Sequence, residues 1–475
     1  MNNNKYKIIG LIFWVAHLCH GQFFYTDYQI GEEWLKTNAG NFNDYSDSSS
    51  LWYNYLVEKG QMNDNQLFGI YFHLNNGDKT KSIYQKSDLI GNGLLTNYQY
   101  KSDKIELANS MFFTDEKYNA ERGFIRTIKD VTMYTNLAYI KIFNKINELN
   151  IQTTIGRNFL EISPGTENRL LLSNYSRPFD QFSLIAKSSK WRGLFSIIQL
   201  DTVNQSNRYL YLHTLSYNQD NFSITIGEAI LDSGLGKSIN LNYINPFHLW
   251  SWENISGGDR GVNGFLFFGF TWFPFNTSRV YGELLIDDIN FHKKNAFYLN
   301  RYGYLIGFHK TGYPMKYSNI NFELTSIMHQ VYQSYHITHA YTHRGFPIGH
   351  FLGNDFINFK LLYSQLLKKG KLRPFVEFSY LEDGYNGIDT PFDNPYEDHN
   401  GIVIDFKPPD HPTRPITKFY EVDFGFEINL YFQTYLTVSG QLQSKSLTDD
   451  LIENYGMKIR FWSYLDLKEL SRFYN

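Results

Sequence analysis

From Tyr420 to Phe432 the chain alternates without a break. Apolar side chains fall at Tyr420, Val422, Phe424, Phe426, Ile428, Leu430 and Phe432, with Glu421, Asp423, Gly425, Glu427, Asn429 and Tyr431 between them. Successive side chains of a strand point to opposite faces, so this run makes one apolar and one polar face. At about 3.3 Å per residue and a tilt near 40°, a strand of this length covers the roughly 25 Å apolar band of an outer membrane. Strands of soluble proteins usually stop at about 5–6 residues.

Further alternating runs surround it. Leu436, Val438, Gly440 and Leu442 follow at once, predicting a hairpin that turns near Gln433–Thr434. Tyr455, Met457, Ile459 and Phe461 form a closing strand, and Phe222, Ile224, Ile226 and Val376, Phe378, Tyr380 show the same period upstream. Clusters of Asn, Asp, Ser and Gly separate these runs, as turns require. Residues 383–415 differ. They carry Pro391, Pro395, Pro408, Pro409, Pro412 and Pro415, and proline cannot donate to a sheet ladder, so a large extracellular loop is expected.

The chain holds 40 Phe, 37 Tyr and 8 Trp, 18% of its residues, yet its mean hydropathy is negative. Intrinsic disorder is excluded, because disordered chains are poor in aromatics. Spanning helices need about 20 successive apolar residues, and the longest apolar run near either end is Ile8–Ala16. A membrane barrel makes the combination expected: half of each strand meets lipid, the other half meets water, and aromatic girdles mark both interfaces. A soluble β-sandwich or β-helix with one wet face is the competing architecture, and strand length, export signal and aromatic load together speak against it. The fold expected is an all-β transmembrane antiparallel barrel of about 18 strands (roughly 16–20) spread over 22–475.

Lys5 and Lys7, the apolar core Ile8–Ala16, and Cys19 and Gly21 three and one residues before Gln22 have the layout of a signal peptide over 1–21. Leu18 stands where a lipidation signal wants a small residue. The only cysteine then leaves with the signal. A cysteine-free exported chain of this size points to a bacterial envelope rather than to a eukaryotic secreted protein, and with the barrel the expected location is the outer membrane of a Gram-negative bacterium. The net charge of −3 gives no footprint for nucleic acid. Residues 22–100 alternate poorly, Ile30–Thr37 is compatible with a helix, and a periplasmic or plugging element fits there.

A set of short motifs follows in order from Gly156 to Asp355. They are Gly156-Arg157-Asn158-Phe159, Leu170-Leu171-Leu172-Ser173, Asn207-Arg208-Tyr209 with Leu212-His213, and Gly227-Glu228-Ala229-Ile230. Tyr243-Ile244-Asn245-Pro246-Phe247, Tyr281-Gly282-Glu283-Leu284-Leu285-Ile286-Asp287-Asp288 and the downstream His343-Arg344-Gly345, Gly349-His350 and Gly353-Asn354-Asp355 complete it. Their order over some 200 residues resembles the capsule-assembly Wzi family of outer-membrane proteins. The resemblance implies an 18-stranded barrel that binds or anchors capsular or extracellular polysaccharide without catalysis. It also implies contact with outer-membrane lipid and leaves room for the capsule-export machinery as a partner.

Candidate binding residues follow from sugar chemistry: flat aromatic faces stack on rings, while carboxylates, amides and guanidinium groups bond the hydroxyls. Trp250, Trp252 and Glu253, with Asp259 and Arg260 in a glycine-rich stretch, read as a lectin-like loop; an aromatic girdle with an ordinary turn is the plainer reading. Glu283 and Asp288 offer lumen carboxylates, and Arg157 and Arg208 offer lumen cations. Adjacent Asp287 and Asp288 point to opposite faces of a strand and cannot work as a pair. A network of charges that pair with one another inside the barrel, Arg301 included, is the alternative. His339, His343 and His350 share the spacing of metal ligands, but Gly345 and Pro347 place them on strand and loop, where that spacing does not converge. No cofactor, metal or catalytic residue is expected, and no Gly-x-Ser-x-Gly elbow occurs. A porin for small solutes and an outer-membrane hydrolase remain open at this stage.

Overall fold

The computed structural model describes residues 66–73 and 93–114 and most of 127–463. The gaps in the last stretch are 129–130, 161, 163–168, 174–175, 252–261, 276, 289–299, 316–317, 366, 368–371, 389, 391–409, 430–433 and 448–449. The expected signal peptide (1–21), Ile30–Thr37, Trp252, Glu253, Asp259 and Arg260 lie outside the described residues.

The wall begins with β1 (Gln66–His73), β2 (Gly93–Lys101) and β3 (Ile105–Thr114). A two-residue piece, β4 (Thr127–Ile128), precedes β5 (Val131–Ile146), β6 (Leu149–Asn158), β7 (Phe179–Lys187), β8 (Trp191–Gln199) and β9 (Ser206–Asn218). Next come β10 (Phe222–Leu235), β11 (Val262–Phe275), β12 (Ser278–Asp288), β13 (Arg301–Thr311) and β14 (Ser318–Ile327). Two short strands, β15 (Thr342–His343) and β16 (Phe346–Pro347), pair only with each other. The wall resumes with β17 (Phe356–Gln365), β18 (Leu372–Asp383), β19 (Thr417–Asn429), β20 (Thr434–Leu447) and β21 (Asp450–Ser463). Eighteen of these strands have eight residues or more among those described, and each pairs antiparallel with the next. The fold is therefore a transmembrane up-and-down β-barrel. At its seam, β1 and β21 have Cα atoms within 8 Å of each other, and no ladder joins them among the described residues.

Connections sort by length. At one end they span two to six residues, as at 147–148 and 219–221; β19 and β20 pair as the predicted hairpin does, and the turn expected at Gln433–Thr434 and the strand end expected at Leu430–Phe432 fall on or beside 430–433, outside the described residues. At the other they reach 236–261, 328–355 and 384–416. That asymmetry is the one found between periplasmic turns and surface loops.

The alternation of β19 appears as two chemically distinct faces. Phe424 is 46% exposed on the outside, while Glu421 is 2% exposed on the inside. Tyr420, Phe426 and, on β18, Val376 and Phe378 join the outer band. Aromatics collect at both rims: Trp191, Tyr217 and Phe222 adjoin at the short-turn end, and Tyr380 meets Tyr420 at 4.9 Å near the other. Inside, charges pair across strands. Lys141 lies 3.2 Å from Glu106, Lys360 3.0 Å from Glu377, and Arg373 3.5 Å from Glu427. The poorly alternating stretch 22–100 contributes β1 and β2 to the wall.

Candidate functional site: a plugged mouth

Residues 328–355, between β14 and β17, fold down into the barrel at the long-connection end. Val331, Tyr332, Tyr341, Ile348 and His350 are fully buried. They meet the inward faces of the wall, where Leu210 and Leu212 of β9, Leu231 of β10, Phe265 of β11 and Leu305 of β13 form one apolar core with Leu170–Leu172. Burying each such side chain is worth about 1.5–3 kcal/mol, so this segment is a packed plug rather than a loose flap. Tyr332 and Tyr341 stack at 5.5 Å, and Phe265 lies 4.5 Å from Tyr341.

Polar groups fix the plug to its surroundings. Tyr332 Oη donates to Leu170 O at 2.5 Å and Tyr341 Oη to Leu171 O at 2.8 Å. Ser173 N donates to Ile348 O at 2.9 Å, and Ser173 Oγ to Gly349 O at 2.6 Å. Gly349 is required here, because a Cβ would sit 2.3 Å from Leu170 O. On β12, Glu283 accepts Leu170 N and Asp287 accepts Tyr332 N, each at 2.8 Å. Arg208 of β9 donates from Nε to Thr338 O at 2.7 Å, from Nη2 to Ala340 O, and from Nη1 to Asp201 at 3.2 Å.

Arg344 and Gly345 form the tip of the β15–β16 hairpin, both with positive φ (52° and 77°), the conformation a two-residue primed turn needs. The tip reaches the rim, where Arg344 lies 3.9 Å from Asp180. Arg157 grips the same carboxylate through Nε at 2.9 Å and Nη2 at 2.6 Å. Arg177 covers the Phe346 ring at 5.5 Å. The rim thus gathers Arg157, Arg177 and Arg344 about Asp180, with Tyr335 (77% exposed) and Tyr385 (67% exposed) on the same end.

The sequence-predicted residues divide accordingly. Arg157 stands on the rim. Glu283 and Arg208 hold the plug, so they are ties rather than free ligands. The inward neighbour of Glu283 is Asp287, not Asp288. The register shifts between Ile286 and Asp288, and Asp288, half-exposed, pairs with Arg301 at 3.7 Å. Trp250 is fully buried, stacked on His213 at 4.0 Å against the outer wall, with no face open to a sugar. The three histidines diverge: His343 contacts Asp201 at 3.2 Å, His350 packs on Phe351 and Phe356, and His339 sits in a 3-10 turn. Among the described residues no three metal-binding side chains converge. The plug itself escaped the sequence reading. Its signal was a long connection, Met328–Asn354, with Arg344 as its only Lys, Arg, Asp or Glu.

Burial sets the protonation of the plug. His350 is pushed down to about 3 by burial, and His343 is also lowered by burial although Asp201 works against it. Burial would raise Asp201, but its hydrogen bond to His343 and the charge of Arg208 outweigh that and lower it. A histidine that stays neutral when folded but titrates near 6.5 when released supports the folded plug fully above that pH. The support is lost as pH falls from 6.5 toward 3, and by pH 5 His350 alone costs about 2 kcal/mol. Protection of the amides in 328–355, taken against the intrinsic exchange rate at each pH, should therefore fall between pH 7 and 5. His350→Asn, which keeps an acceptor for Leu352 N, should flatten that dependence. An unchanged pH profile would contradict the assignment.

No family model and no curated protein matches the chain. The backbone is similar to that of Wzi from Escherichia coli, described as an outer membrane protein involved in group 1 capsule assembly and a carbohydrate-binding β-barrel. The TM-score is 0.59 at 13% identity, over 95% of each chain. OccD3 (OpdP) of Pseudomonas aeruginosa matches at TM-score 0.45 and 10% identity, over 84% of this chain and 90% of that one. OccAB4 of Acinetobacter baumannii matches at 0.44 and 10%, over 84% and 97%. At 13% identity the likeness to Wzi is one of fold.

Proposed function

We propose that this chain is an outer-membrane barrel of a Gram-negative envelope that binds or anchors an extracellular polysaccharide at its plugged mouth, without catalysis. The observation that carries the reading is the plug. A solute channel needs an open lumen, and here the upper lumen is filled by an apolar core with an arginine-rich rim above it. Guanidinium forks match carboxylate or phosphate groups in two-point geometry, and Tyr335 and Tyr385 offer flat faces for sugar rings. The resemblance of the motif order to the Wzi family and the backbone likeness to a carbohydrate-binding barrel both support this reading, in which the chain serves as a capsule-assembly protein.

The test is retention of the parent bacterium's own acidic polysaccharide on the immobilised barrel. Wild type should bind, and Arg157→Gln combined with Arg344→Gln should weaken binding about tenfold as charge-assisted bonds are lost. No retention by wild type, together with large stable channels in planar bilayers, would overturn the reading in favour of a porin.

A further inference from the structure

The connection after β10 folds in the opposite direction from the plug. Ala229 and Leu231 of β10 face the lumen core, so Glu228, Ile230 and Asp232 face outward, as do exposed Ile224 and Ile226 lower on the same strand. On β9 the outward residues include Tyr211 and His213, and on β8 Phe195. Lipid-facing positions of a barrel are ordinarily apolar, because charge there is costly. Glu228, Asp232 and His213 break that rule, and each is covered by residues 237–250. Trp250 N donates to Glu228 Oε2 at 2.8 Å, and the Trp250 ring stacks on His213, which lies 3.3 Å from Glu228. Lys237 pairs with Asp232, and Asn240 Nδ2 reaches it at 3.4 Å. Tyr211 Oη accepts Asn240 N at 2.7 Å, while Phe195, Tyr211, Ile230, Tyr243 and Trp250 close into one buried cluster.

The other side of this segment is mostly apolar, with Ser238, Asn242 and Asn245 exposed among the hydrophobic residues. Phe247 is 94% exposed and Leu241 77%, with Leu249 and Ile239 also exposed. Glu228 stands six residues above Phe222 at the short-turn end, which is about 15 Å up a wall tilted near 40°. Trp250 is therefore moored inside the apolar band, not above it. Irregular backbone survives at such depth only if its polar groups are satisfied. The amides of Asn242 and Phe247 donate to Asn240 and Asn245 side chains, and those of Tyr243, Ile244 and His248 to backbone carbonyls.

We propose that residues 237–250 form a strap seated in the outer leaflet, at the boundary between headgroups and acyl chains. Its inner side satisfies the polar patch on the outer wall, and Leu241, Phe247 and Leu249 take over the contact with lipid acyl chains. The occupant is lipid because the strap continues the belt of Ile224 and Ile226, which lies directly below it.

Single cysteines at Phe247 and Leu249, placed in a Cys19→Ser background and labelled with bimane, test this in proteoliposomes. Ile226→Cys and Tyr335→Cys serve as lipid-facing and mouth-facing references, and heat-modifiable migration identifies folded barrels. Nitroxide-bearing lipids should quench positions 247 and 249 as strongly as 226 and about threefold more than 335, with aqueous iodide giving the reverse order. Quenching of both strap positions by iodide at the level of 335 would overturn the proposal. So would shielding from both quenchers with crosslinking between barrels, which would assign the strap to a second copy.

Discussion

Replacing residues 328–355 with a short Asn-Gly turn is expected to convert a closed barrel into a conducting one. The graft is geometrically reasonable, because Ile327 and Phe356 are already register partners and a two-residue turn can join them. Removing the plug strips Tyr332, Tyr341 and Ile348 from the lumen core and frees Glu283, Asp287 and Arg208 from the backbone groups they hold. An eighteen-stranded wall without a plug has the girth of a porin, so single-channel current in planar bilayers should rise at least about tenfold. The intact barrel should give no stable openings of that size. Equal conductance before and after excision would mean that the plug does not close the lumen.

The second large effect centres on Asp355. Its carboxylate is fully buried and accepts Thr413 N at 2.9 Å, Asn386 N at 3.0 Å and the Thr413 hydroxyl. It therefore ties the end of the plug to both flanks of the 384–416 connection. Asp355 also has a φ of +62°, which Asn tolerates nearly as well as Asp. Asp355→Asn thus preserves backbone preference while turning an amide NH2 toward donors, leaving at least one buried N–H unsatisfied. The cost is about 2–4 kcal/mol, and hydrogen exchange in 384–388 and 410–416 should accelerate about a hundredfold. Gly384→Ala should act in the same direction, since its Cβ would lie 2.1 Å from Asp355 Oδ2. If Asp355→Asn leaves exchange unchanged, the carboxylate is not the tie that the geometry describes.

What could be read from the sequence and what could not have the same physical root. Alternation is visible wherever one face of a strand meets lipid and the other meets water, so β18, β19 and β20 were legible as strands, though not to their ends. β1 was not: Leu67, Phe68, Ile70, Tyr71 and Phe72 crowd together without a polar face. The two folded connections were hidden because tertiary packing, not local pattern, decides whether a long loop turns into the lumen or onto the outer wall. Trp250 illustrates the difficulty. Its neighbours in sequence suggest a sugar platform, yet its partners are His213 and Glu228, some 20–40 residues earlier. On β12 plain alternation places Glu283, Leu285 and Asp287 on the inward face, and Asp288 follows the register shift and pairs with Arg301.

The proposed function requires the mouth to hold polysaccharide at the cell surface. The most direct measurement is how extracellular polysaccharide partitions between cells and medium when the gene is deleted from its parent bacterium and restored in trans. Deletion should move the polymer into the medium with total synthesis unchanged. Wild-type barrel should return it to the cells, and the Arg157→Gln, Arg344→Gln variant, equally abundant in the outer membrane, should not. Polymer that stays on the cells after deletion would contradict a role for the mouth in holding it.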